Sequence, residues 1–217
     1  MATREQLQQS YLDTVLTTGE KPTTVYAFAK SHEMSEEEFY RHFGSFEALE
    51  GSIWTDLTSK TIAEIEQQEI WAQYSSRDKI LAFFYAYMEL LKSKRSFIVY
   101  SLNNSPKNNF RTPALFEDTR KTFEAFAESV LQEGLASGEL AERRFLSKRY
   151  KDGLWLQFHF LINFWAKDNS ANFEKTDEAI EKGVNVTFDL FQRSPIDNLI
   201  DYGKFLVNNG GFTRGGK

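Results

Sequence analysis

"VYAFAKSHEMSEEEFYRHFGSFEALEGSIW", residues 25–54, decides how the chain is read. Its apolar residues recur at intervals of three and four, the spacing of one helix face rather than the alternation of a strand. Thr23 or Thr24 can cap a short helix that runs through Val25, Phe28 and Ala29. Ser35 opens the next helix, 35–43, in which Phe39 and Phe43 stand at i and i+4 on one face. "GSFEALE" then turns into a long helix from about 46 to 74, with Leu49, Ile53, Trp54, Leu57, Ile62 and Ile65 as its stripe. Two short helices around a tight turn, leading into a longer one, predict a helix-turn-helix.

Three consecutive glutamates complicate that reading. Ser35 followed by Glu38 is a capping box, and Glu36 and Glu37 fill the first helical turn. An acid placed there stabilises a helix by roughly 0.3 to 1 kcal/mol, so helix formation alone accounts for all three. The same charges oppose DNA. A carboxylate close to a phosphate costs roughly 1 kcal/mol in bulk water and about 4 at a protein surface. Residues 1–50 hold 4 Lys+Arg against 9 Asp+Glu, and residues 51–217 hold 22 against 22, so the net charge of −5 lies in the first fifty residues. That is a poor electrostatic footprint for nucleic acid. One glutamate can still be useful in a major groove, by accepting a hydrogen bond from cytosine N4.

Working outward, the rest of the chain is also helical in pattern. Only 4 prolines and 12 glycines interrupt 217 residues, and no run alternates strictly enough to predict a strand, so the fold class is all-α. A first helix over about 3–17 carries Leu7, Tyr11, Leu12 and Val15 and ends at Gly19. Downstream, helices are expected over about 76–93, through "RSFIVYSLN", then 113–136 up to Gly138, 145–168 and 173–193. "NNSPKNNFRTP" reads as a loop, and Pro195 opens a last helix to about 208, followed by a flexible tail at 209–217. No segment has the roughly 18 uncharged apolar residues of a membrane helix, and the N-terminus lacks a secretory leader, so a cytoplasmic protein without membrane insertion is expected. The absence of cysteine removes disulfides and thiolate chemistry.

The second half is rich in aromatic side chains. "LWLQFHFLINFW", residues 154–165, is apolar nearly all round, as a helix is when one side faces its own body and the other a second subunit. With "FFYAYMELL", residues 83–91, it also suits an apolar cavity lined by Phe84, Met88, Tyr100, Phe123 and Phe158. The partner would be a hydrophobic or aromatic small molecule or a lipid tail. His159 lies in that helix, either as an interior or interface histidine or as a ligand contact. A single histidine without cysteine gives no metal-ligand spacing. No glycine-rich phosphate loop, matched nucleophile and base, or spaced carboxylate pair is present, so neither an enzyme nor a cofactor is expected.

Residues 25–54 and "EGLASGELAE", residues 133–142, resemble the tetracycline-repressor (TetR) family of bacterial transcription regulators. The resemblance implies a helix-turn-helix DNA-binding domain over 1–46 and a ligand-binding and dimerisation domain over 47–208. It also implies a homodimer through the helices near 145–168 and 173–193. The helix 35–43 would enter the major groove, with Ser35, Tyr40 and His42 as phosphate contacts and Glu36, Glu37 and Glu38 in its first turn. Three features depart from the family pattern. The glutamates stand where a set such as Lys-Gly-Thr is usual, Glu33 stands where Gly is usual, and the connection before Val25 is shorter. Two functions are therefore carried forward: a dimeric, ligand-responsive transcription regulator, and a protein of the same fold that binds a small molecule or lipid and has lost DNA binding.

Overall fold

The computed structural model describes residues 2–105, 112–143, 147–192 and 202, and among them there is no strand. Helix α1 (Arg4–Thr18) is capped by Thr3 and stopped by Gly19, whose φ of 75° is the left-handed conformation glycine adopts without strain. Thr24, not Thr23, caps α2 (Val25–Ser31), and Ser35 caps α3 (Glu36–Tyr40). Helix α4 (Phe46–Glu66) leads into the body, formed by α5 (Ser76–Lys92), α6 (Arg95–Asn104), α7 (Glu117–Ser137), α8 (Tyr150–Lys167) and α9 (Glu174–Phe191).

Helix α5 is the centre of the body, in contact with α4, α7, α8 and α9. Its inward residues Ile80, Phe83, Phe84, Tyr87, Met88 and Leu91 are all buried, and they join one apolar cluster that runs from Leu7 of α1 to Phe191 of α9. Helix α4 belongs to both halves, because it packs against α1 as well as α5 and α7. Two glycines permit close approach. A Cβ on Gly51 of α4 would lie 2.9 Å from the Leu115 carbonyl, and one on Gly134 of α7 would lie 2.6 Å from the Ser76 hydroxyl.

Several boundaries differ from the sequence expectation. Helix α3 ends at Tyr40 rather than 43, although the amides of His42 and Phe43 still bond the Phe39 carbonyl. Helix α4 ends at Glu66 rather than 74. The chain breaks into a short 3-10 turn at Trp71–Gln73, where Trp71 stacks near Phe126 at 6.1 Å and takes the Lys79 ammonium 5.0 Å from its ring. Helices α7 and α8 begin at 117 and 150, each after a single 3-10 turn. The expected helix after Pro195 and the expected tail at 209–217 lie outside the described residues, apart from Tyr202.

Candidate nucleic-acid interface and ligand site

Helices α2 and α3 are held together by aromatic rings. Phe28, Phe39 and Phe46 meet with centroids 5.3 to 6.0 Å apart, and Phe43 packs on Phe39 at 6.1 Å. Residues of α3 that point away from this cluster are consequently presented to solvent. Ser35, Glu36, Glu37 and His42 are exposed, and Tyr40 is 54% exposed. The turn between the helices passes through Glu33 at φ 56°, a left-handed residue at the position where glycine was expected from the resemblance.

The three glutamates have different partners. Glu38 closes the capping box: its Oε2 accepts from the Ser35 amide at 2.9 Å, and the Ser35 Oγ accepts from the Glu38 amide at 3.2 Å. Its other oxygen accepts from the Ala2 amide at 3.1 Å. The Ser35 and then the Ala2 amide hold the Glu38 carboxyl below its ordinary pKa. Glu37 accepts from Arg41 Nη2 at 2.6 Å. Glu36 is exposed and has no such partner among the described residues. His42 Nε2 lies 3.1 Å from the Ala2 carbonyl, so the start of the chain lies along α3 between Glu38 and His42. Sequence reasoning passed over Tyr26 and Lys30 of α2. They stand four apart, both are exposed, and the Lys30 ammonium lies 6.0 Å from the Tyr26 ring. Their i, i+4 spacing on the polar face of a short helix was the available signal.

Where α1, α4 and α6 meet, a carboxylate is fully enclosed. Glu50 of α4 is 1% exposed, accepts from Tyr11 Oη at 2.8 Å and from the Ser101 hydroxyl, and lies 3.2 Å from Lys21 Nζ. Ser101 Oγ in turn accepts from Trp54 Nε1 at 2.9 Å. Burial, followed by the charge of Glu50, pushes the Tyr11 hydroxyl pKa far above its ordinary value. The network ties the first helix to the body through a buried charge that is hydrogen-bonded on both oxygens, the condition under which such a charge is tolerated.

In the body, Phe84, Phe123 and Phe158 come together, with Phe123 and Phe158 4.8 Å apart and Phe84 6.2 and 6.4 Å from them. Phe83, Tyr87 and Trp155 fill in around them, so these rings pack face and edge as core. Met88 belongs to the same apolar cluster and also lines a cleft of about 350 Å³ between α5, α8 and the start of α9. Tyr100 is on α6, where burial and the charges of Glu50 and Glu20 raise its pKa. His159 is set edge-on against Trp155 at 4.5 Å and Phe116 at 5.2 Å, and its Nε2 has no hydrogen-bond partner among the described residues. Burial and the nearby Arg120 lower its pKa to about 4.

Helices α8 and α9 bury Leu154, Phe158, Leu161, Ile180, Val184 and Phe188, yet their outer faces carry Leu156 at 72% exposure, Phe160 at 58%, Val186 at 59% and Leu190 at 63%. The helix that read as apolar all round is thus apolar on a face that the described residues leave uncovered. Among the described residues no group of acidic, histidine or cysteine side chains is arranged to hold a metal, and no helix is long and apolar enough to cross a membrane.

Residues 79–206, more than half of the chain, match the model of the tetracyclin repressor-like C-terminal domain. The chain belongs to the TetR family. The match begins within α5, so it takes in the aromatic core, α8 and α9 and leaves α1–α4 to the evidence of geometry. Solved structures extend the likeness to most of this TetR-family chain. A Rhodococcus sp. RHA1 protein of unknown function has a TM-score of 0.59 and 15% identity, over 89% of this chain and 97% of that one. A chain from Shewanella sp. PV-4 assigned to the TetR family of transcription regulators has a TM-score of 0.60 and 12% identity, over 89% and 100%. A regulatory protein of the TetR family from Rhodococcus RHA1 has a TM-score of 0.52 and 15% identity, over 88% and 97%. Identities this low establish a common fold. No curated protein matches the sequence significantly.

Proposed function

We propose that this TetR-family protein is a homodimeric, ligand-responsive transcription regulator of the cytoplasm that binds DNA through α2 and α3. Residues 1–46 serve as the DNA-binding unit and 47–208 as the ligand-binding and dimerisation unit. Its role is regulatory, not catalytic. The observation that carries the reading is the distribution of partners on α3: Arg41 pairs the charge of Glu37, and the Glu38 carboxylate is turned to the Ser35 and Ala2 amides, which leaves Glu36 as the carboxylate of the helix without a partner among the described residues. Ser35, Tyr40 and His42 are exposed around it, beside Tyr26 and Lys30. Hydroxyl, imidazole and ammonium donors of this kind position a protein on DNA without reading sequence.

Dimerisation follows from the hydrophobic effect. Leu156, Phe160, Val186 and Leu190 are large, apolar and more than half exposed on two adjacent helices, and a second copy covers them symmetrically. Two helix-turn-helix units would then address half-sites about one DNA turn, roughly 34 Å, apart. A hydrophobic or aromatic small molecule in the body favours one arrangement of the halves, and the Glu50 network links them because Tyr11 of α1 and Ser101 of α6 are both bonded to that carboxylate of α4.

The second reading, a small-molecule or lipid carrier that has lost DNA binding, is favoured by the acidic excess of the first fifty residues, 4 Lys+Arg against 9 Asp+Glu. Binding of the purified protein to random and to promoter-derived duplexes across a salt series separates the two. Affinity that falls steeply with salt supports the regulator, and no binding even at roughly 50 mM salt leaves only the carrier.

A further inference from the structure

The cleft of about 350 Å³ between α5, α8 and α9 contains an unsatisfied donor in its wall. Trp165 is 0% exposed and its Nε1 has no acceptor among the described residues, whereas the indoles of Trp54 and Trp155 donate to Ser101 and Thr112. A buried N–H without an acceptor is rare in a native protein and invites an explanation. A second anomaly adjoins it. Asn172 and Phe173 are consecutive non-glycine residues at φ 51° and 63°, a conformation that costs energy and persists where the surroundings enforce it. Asp168 enforces it by accepting from Ser170 on one side and Thr176 on the other, which fixes both ends of the segment. The strained Phe173 lines the same cleft, with its ring 5.6 Å from that of Trp165.

We infer that this cleft is a ligand site with Phe173 as its movable cover and Trp165 Nε1 as its buried, unsatisfied hydrogen-bond donor. A shift of the Asn172–Phe173 backbone out of the left-handed conformation relieves that strain, carries the Phe173 ring away and opens the indole to the cleft. The charges around it define the ligand. Arg95 lies 4.7 Å from the Trp165 ring and 4.6 Å from the Phe173 ring, anchored by the carbonyls of Trp165, Ala166 and Asp168, and it repels a cation. Glu89 and Lys92 of the lining neutralise each other as a pair, and Asp177 repels an anion. The matching molecule is neutral and apolar with one carbonyl acceptor, the chemistry of an aryl ketone or a lactone. This deepens the small-molecule part of the proposed function and rests on it. DNA binding has no part in it.

The test uses indole-15N-labelled protein, whose four tryptophans give four N–H signals, with acetophenone as the probe and ethylbenzene as its acceptor-free counterpart. Acetophenone is expected to move the Trp165 signal downfield, leave those of Trp54 and Trp155 in place, and bind about 5-fold more tightly than ethylbenzene. In Trp165→Phe that preference should vanish, and Phe173→Gly, which suits a left-handed position and so folds, should tighten acetophenone binding roughly 5-fold. A Trp165 signal indifferent to both probes, an equal response to both, or unchanged binding in Phe173→Gly would overturn the inference. Such a failure leaves the regulator reading standing with its ligand elsewhere, and absence of DNA binding leaves this site untouched.

Discussion

Glu36 is the residue on which the electrostatics of α3 turn. Glu38 holds Ser35 and Ala2, and Glu37 holds Arg41, so changing either disturbs the helix itself. Glu36→Lys breaks no side-chain contact among the described residues but reverses a charge in the first helical turn, and is expected to cost roughly 0.5 to 1 kcal/mol of stability. It should raise affinity for duplex DNA roughly 5- to 10-fold at low salt, as read by fluorescence anisotropy. The capping box was legible in the sequence, since Ser35 and Glu38 have the required spacing. The bonds from Ala2 to Glu38 and His42 were not, because they join residues some forty positions apart and carry no local pattern. His159 gives a pH prediction. Its folded pKa of about 4 lies below the ordinary 6.5, so between those values the unfolded chain binds the proton and the folded one does not. Stability is expected to fall as pH drops from 6.5 toward 4, and His159→Asn should flatten that slope in urea titrations at several pH values.

At the level of elements, caps were legible and helix ends fixed by tertiary contacts were not. Thr24, Ser35, Gly19 and Gly138 carry their function in their own chemistry, and each stands at its expected boundary. The end of α4 has no such punctuation. The stretch from Glu64 to Glu69 is Glu- and Gln-rich and compatible with helix, and the chain turns because Trp71 docks on Phe126 and Lys79, contacts that only the folded body provides. The joint between α1, α4 and α6 is equally invisible in sequence, where Glu50 reads as one more acidic residue of an amphipathic helix. Tyr11→Phe removes one of its hydrogen bonds and leaves a buried carboxylate short of a donor. The expected loss is about 1.5 to 3 kcal/mol in urea denaturation, the range for hydrogen bonds to charged groups. If the joint also transmits between the halves, the same variant weakens any effect of ligand on DNA affinity.

For the whole molecule, composition announced an aromatic body and could not distinguish a filled core from a lined cavity. Twenty phenylalanines are compatible with both. Phe84, Phe123 and Phe158 have their rings packed against one another, while Met88 of the same cluster also lines the cleft beside α9 and Tyr100 packs against the cluster from α6. The uncovered faces of α8 and α9 make the assembly testable. Phe160→Glu with Leu190→Glu places charges in the proposed interface without touching the core, and the double variant should sediment as a monomer while the parent chain sediments as a dimer. DNA affinity should fall with it, because half-sites are engaged as a pair. The central claim is that an acidic chain, with Glu37 and Glu38 of α3 bonded internally and Glu36 left exposed, still grips DNA. The most direct measurement is anisotropy of a labelled promoter-derived duplex with the parent protein, from roughly 50 to 200 mM salt. The account predicts binding at the low end that weakens steeply and log-linearly with salt. No change in anisotropy at any salt concentration would contradict it.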